Sequence, residues 1–342
     1  MSTDFPYDVV LSHGPCLDGT SAAWVYWRTL PDYARQALGA AKITSPEEAL
    51  QQQRNGVPVV FGFTQHNQPV PAELVAGRNV LIMDLDLGHL LRDVLTTANF
   101  VTLIDHHDST SDTLSFYQQE FPTKFYPVVD VSTSESAATL AWKFFYPNEY
   151  VPDILQIVRI KDNWAWNDMG DLEQLHPRET IKGMQATGVF KSLTKLEQTY
   201  TQWSDQTLNK FYRIGRGLVK CDTATAQKLA QSPAIGWLQT NDGRIYTVAY
   251  VQTTILHSDT AMLIRNNAHF RQPIHFTATW KYNPGSGIVN ISFRDPAPGI
   301  NLSRIARSLR NVTTGGGHAN AASIAFYGIE NFHKFLQRNQ PI

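Results

Sequence analysis

Asp105, His106 and His107 stand together where the apolar run 100–104 (FVTLI) stops. A β-branched and aromatic run closed by an acid and two imidazoles reads as a buried strand that delivers metal-binding chemistry at its carboxyl end. Carboxylate oxygen with imidazole nitrogen suits Mn, Mg, Fe or Zn better than a structural thiolate site would. Three other places repeat the pattern. The run 8–11 leads into His13-Gly14-Pro15-Cys16-Leu17-Asp18-Gly19, the run 80–83 ends in Asp84-Leu85-Asp86, and a helical run ends in Lys161-Asp162-Asn163-Trp164. Each alone has a plainer reading: His13 as a hydrogen-bonded loop residue, Asp18-Gly19 as a turn, Asp84 and Asp86 as loop acids, Asp162 as a helix terminus. Gathered at one edge, the carboxylates would repel strongly and would need cations or protons. Two divalent ions sharing a carboxylate meet that need and supply hydroxide at neutral pH for phosphoryl displacement.

The elements that would bring these residues together alternate. Strands are predicted over 8–11, 57–63, 80–83 and 100–104, with helices over 20–30, 134–145 (Ser134 as N-cap) and 151–160. Alternation of this kind predicts βαβ units in a doubly wound, mostly parallel sheet. The stretch 193–231 is polar and helix-like. After it the pattern changes to strands over 245–251, 274–282, 288–293 and 322–326, with helices over 258–268 and 302–309. Asn283-Pro284-Gly285-Ser286-Gly287 marks a turn between two of those strands. The expected organisation is a catalytic α/β domain over 1–192, a helical linker over 193–235 and a smaller α/β domain over 236–342.

Length and composition fit two soluble globular domains: 342 residues, 42% hydrophobic and 17% charged. The net charge of −1 hides an asymmetry. From Gly236 onward there are ten Lys/Arg and four Asp/Glu, against 19 and 26 in the first 235 residues. An acidic half that collects cations beside a basic half that holds an anion fits this division. Two cysteines, Cys16 and Cys221, make no disulfide framework. The start lacks the basic and apolar pattern of a signal peptide, and a cytoplasmic location with no membrane partner is expected.

The ordered motifs HGPCLDG, LIMDLD, LIDHHDS, RIKDNW and GGGHANAAS together resemble the DHH phosphoesterase superfamily. The last resembles its DHHA1 subfamily, which includes oligoribonuclease-like and nano-RNase-like enzymes. These motifs span residues 13–323. The resemblance implies metal ligation by His13, Asp18, Asp84, His106 and Asp162, with Asp84 bridging two ions. It also implies that His107 faces the substrate and that Asp105 orients a neighbouring imidazole. One position departs from the family: where an Asp commonly ligates the first metal, this chain has Cys16. Either its thiolate coordinates and tilts the site toward Zn, Fe or Co, or it is a small apolar residue that does not coordinate, which we favour.

In the second domain, Gly315-Gly316-Gly317-His318 lets backbone N–H groups approach an anion, and Arg294 offers a bidentate fork. The expected activity is hydrolysis of short single-stranded oligonucleotides or small nucleotide phosphoesters by two divalent ions, Mn2+ foremost, with Mg2+, Co2+, Fe2+ or Zn2+ as substitutes. The basic half is too modest for long duplex DNA. A polyphosphate or other small phospho-compound hydrolase is the alternative, then a DHH-like binding module without catalysis. A homodimer is compatible with all three.

Overall fold

The computed structural model describes residues 6–39, 42, 44–132, 134–166, 169–265, 273–295, 297–309, 314–317 and 319–338. They fall into two compact units, Met1–Val219 and Lys220–Ile342.

The first unit is built on a five-stranded parallel sheet: β1 (Val9–His13), β2 (Val60–Thr64), β3 (Asn79–Met83), β4 (Phe100–Asp105) and β5 (Phe125–Val129). Their order is β2-β1-β3-β4-β5, and every pairing is parallel. Alternate residues point to opposite faces. Val10, Leu81 and Met83 therefore pack in one apolar cluster while Val9, Leu11, Val80 and Ile82 pack in another. Both faces are covered by helices, which makes the sheet doubly wound. The strand order reverses between β1 and β3. In such sheets the crevice beyond the carboxyl ends at that reversal is where ligands bind.

Three local features set that crevice. Ser12 Oγ, at the end of β1, donates to Gly19 O at 2.8 Å and ties the strand to the helix Leu17–Thr29. Gly19 sits so close to β1 that a Cβ there would overlap the His13 carbonyl oxygen. The helix Ala137–Phe145 starts from Ser136, two residues beyond the expected Ser134, and Ser136 forms a capping box with Thr139. Ser134 instead bonds to Ser132 and Asp130 in the preceding loop. Within the stretch expected as a linker, the helix Leu193–Thr201 buries Leu193 and Leu196 in the first unit's core. A 25-residue helix, Asp205–Leu229, follows.

The second unit carries a six-stranded sheet of β6 (Ala234–Gln239), β7 (Ile245–Gln252), β8 (Phe276–Asn283), β9 (Ile288–Arg294), β10 (Thr314–Gly317) and β11 (Ala321–Tyr327). Its order is β10-β11-β9-β8-β7-β6. The pair β7–β8 is parallel and the others antiparallel. β6 and β10 were not anticipated. β10 is the glycine run itself. It pairs as an edge strand with β11 instead of standing as a loop, because Cβ atoms at Gly315 and Gly317 would strike the β11 backbone. Among the described residues no helix is long and apolar enough to cross a membrane.

Replacing Gly19 with Ala must displace the end of β1 or the start of the helix Leu17–Thr29. A cost of about 1–3 kcal/mol is expected in chemical denaturation. A variant as stable as the parent would show that this close approach is not a constraint.

Candidate metal centre

The sequence motifs converge beyond the carboxyl ends of β1, β3 and β4. Asp84 follows β3 in the left-handed conformation (φ 55°), a strained setting for a residue with a Cβ. The strain turns its carboxylate inward, where it is only 2% exposed. Its two oxygens face different partners: Oδ2 lies 3.5 Å from His13 Nδ1, and Oδ1 lies 3.5 Å from His106 Nε2. His106 Nε2 also stands 3.4 Å from Asp18 Oδ2 and 3.2 Å from Asp162 Oδ2. Two donor sets result, His13–Cys16–Asp84 and Asp18–His106–Asp162, each with its atoms within 4.8 Å of one another. Asp84 touches both.

Asp18 does a second job. Its Oδ2 accepts from Ala137 N at 2.7 Å and its Oδ1 from Ala138 N at 3.0 Å. These are first-turn N–H groups of the helix Ala137–Phe145, so the carboxylate also satisfies that helix's amino terminus. Asp162 is the last residue of the helix Asp153–Asp162.

Asp105 also groups with Asp84, His106 and His107, but hydrogen bonds occupy both of its oxygens. Its Oδ1 lies 2.6 Å from His107 Nδ1 and accepts from His106 N at 2.7 Å, while Thr110 Oγ1 donates to its Oδ2 at 2.6 Å. Thr110 was not anticipated, and neither was His66. His66 follows β2, its ring centroid 4.0 Å from that of His13 and 4.8 Å from that of His107. The backbone N–H of Asp86 donates to His66 Nδ1 at 3.1 Å. That nitrogen is therefore the unprotonated one, and Nε2 carries the hydrogen. No described residue accepts from it. Asp86 also accepts from Gly88 N at 2.8 Å, which makes it a turn-former as well.

Electrostatics follow from this crowding. Burial, then the Asp84 and Asp162 carboxylates, push Asp18 up to about 7. Burial moves Asp162 the same way. Burial would also raise Asp84, but the His106 and His13 imidazoles beside its oxygens hold it well below the usual range. Burial opposes a charge on His106, yet Asp84, Asp162 and Asp18 keep it protonated well above its usual range. His107 is likewise opposed by burial and overruled by Asp105, reaching about 9. Its partner Asp105, which burial alone would raise, is held low by that imidazolium. Burial and the His107 and His13 rings press His66 down to about 3. The Cys16 thiol is raised by burial and by the Asp84, Asp162 and Asp18 carboxylates. Without a cation, the proton on His106 supplies the compensating charge.

The donor set fits divalent metal. Asp84 Oδ2 and Asp162 Oδ2 are buried oxygens that accept no hydrogen bond, which is costly unless a cation lies against them.

In the second unit the motif residues lie on neighbouring strands. Arg294 ends β9, and its Nη1 donates to Phe293 O at 2.7 Å and Ala322 O at 3.2 Å. Burial lowers its guanidinium to about 10. Nε and Nη2 remain as donors. Gly315, Gly316 and Gly317 pair with Ile324, Ser323 and Ala322. His318 lies outside the described residues.

No family model matches the chain. Over 332 residues it is 22% identical to "Uncharacterized protein R106" of Acanthamoeba polyphaga mimivirus, covering 94% of this chain and 68% of that one. A pGpG-specific phosphodiesterase, PggH, from Vibrio is similar over 97% of both chains, at 12% identity and a TM-score of 0.42. The DHH domain of a member of a ribosomal-protein family is similar over 97% of this chain and 86% of that one, at 17% identity and a TM-score of 0.46.

A pH dependence follows. Asp18 rises from 3.8 to about 7, and His107 from 6.5 to about 9. The stability that each contributes is full below its unfolded value and is lost as pH rises through its folded value. Asp84 and Asp105, held low, have already made their contributions above pH 6. Metal-free protein is thus expected to melt lower at pH 9 than at pH 6. Added Mn2+ should raise Tm more at pH 9, where fewer protons must leave the donors. Equal shifts at both pH values would contradict this account.

Proposed function

We propose that the protein is a metal-dependent phosphoesterase of the DHH superfamily, DHHA1 subfamily, acting on short single-stranded oligonucleotides or small nucleotide phosphoesters. The observation that carries the reading is Asp84, whose two oxygens serve two separate donor sets. His13, Asp84 and Cys16 border one position, and Asp18, Asp84, His106 and Asp162 border the other. When bound there, a pair of divalent cations, Mn2+ foremost, supplies Lewis acidity and an acidified water for in-line attack on phosphorus.

The chain's own residues do the rest. Asp105 fixes the His107 ring through Nδ1 and favours its imidazolium, so His107 brings positive charge to a phosphate oxygen or leaving group. Thr110 and the His106 backbone N–H hold Asp105 in turn. His66 Nε2–H is a neutral donor fixed in its tautomer by Asp86 N, suited to a non-bridging phosphate oxygen. In the second unit Arg294 and the glycines Gly315–Gly317, with His318, are proposed to hold a terminal phosphate.

The test is hydrolysis of a 5′-phosphorylated dinucleotide by Mn2+-reconstituted protein. Asp84→Ala and His106→Ala should each lose at least about a hundredfold in rate, since even residues that merely orient metal ligands cost about 10–100-fold. His66→Ala should lose about tenfold or more in kcat/KM, the worth of one hydrogen bond to a charged group. Parent-like rates in both ligand variants would refute the mechanism. Faster turnover of linear polyphosphate than of the dinucleotide would refute the substrate class.

A further inference from the structure

The two donor sets are chemically unlike. Asp18, Asp84, His106 and Asp162 offer three carboxylates and one imidazole, a hard set suited to Mn2+ or Mg2+. His13, Cys16 and Asp84 offer an imidazole, a sulfur and a carboxylate. Sulfur moves the preference toward Zn2+, Co2+ or Fe2+.

Cys16 does not behave as a packing residue. It is half-buried and belongs to none of the apolar clusters of the described residues, although its neighbour Leu17 packs against one of them. Its sulfur lies at the amino end of the helix it precedes: Cys16 is the N-cap of the helix Leu17–Thr29, and the Gly19 backbone N–H faces the thiol, a setting that favours a thiolate. Against it lies Asp84 Oδ2, a buried oxygen with no hydrogen bond, 3.5 Å from His13 Nδ1. Sulfur, nitrogen and oxygen lie within 4.8 Å of one another. Donors with bonds of roughly 2.0–2.3 Å to one tetrahedral ion stand about 3–4 Å apart, so a modest inward movement closes the set.

We propose that Cys16 is a metal ligand and that the centre is heterobimetallic, with a thiolate site for Zn2+, Co2+ or Fe2+ beside an oxygen-rich site for Mn2+ or Mg2+. This rests on the reading that the cluster holds two cations. Binding forms a metal–sulfur bond, and the thiol proton leaves to solvent.

Cobalt reports the sulfur directly, without reliance on turnover. Metal-free full-length protein loaded with Co2+ should show a sulfur-to-cobalt charge-transfer band in the near ultraviolet. Cys16→Ser should lose that band while keeping the visible bands of cobalt in the other site. Asp18→Asn should keep the band. One equivalent of Zn2+ added to the loaded parent should remove it first. Bound cobalt with no charge-transfer band, a band that survives in Cys16→Ser, or Zn2+ that displaces the other cobalt first would each overturn the proposal and leave the two-cation reading intact. A parent that binds no cobalt would overturn both. The parent spectrum decides the matter even if a variant fails to fold.

Discussion

Negative charge out of water is the constraint on which the first unit depends. Asp18, Asp84 and Asp105 are essentially inaccessible, and Asp162 presents a buried oxygen to the same point. Such a group is tolerated only when protons, imidazolium rings or cations balance it. The structure provides the first two: a raised Asp18, an imidazolium at His106 and a second at His107. The left-handed backbone at Asp84 and the missing Cβ at Gly19 are local costs of bringing these groups to one place.

The sheet makes that place inevitable. With the order β2-β1-β3-β4-β5, the chain leaves β1 and β3 toward opposite sides, and a crevice opens at their carboxyl ends. His13, Asp84 and the Asp105–His107 triplet end those three adjacent strands. Asp18 and Asp162 reach the same crevice from opposite ends of helices, one in a first turn and the other at a carboxyl end.

Much of this was legible because strands announce themselves by apolar runs and their ends by a change of residue type. The runs 80–83 and 100–104 and the motifs after them are where the sequence puts them. What escaped depends on tertiary neighbours. His66 sits in Gln65-His66-Asn67, a loop with no pattern, and becomes part of the centre only because β2 lies beside β1. β5 carries Pro127 and is half-exposed, so it lacks a strand signature. The glycines 315–317 carry no β propensity, and their pairing is dictated by how closely β11 approaches. The expected cap at Ser134 failed for a related reason: two serines compete, and Asp130 takes the first.

The bonds from Ala137 N and Ala138 N to Asp18 reach beyond helix capping. A carboxylate held by an amide on each oxygen cannot swing to offer both to one ion. The helix Ala137–Phe145 thus sets, through its amino terminus, how one carboxylate of the cluster is turned, although none of its own side chains needs to enter that cluster.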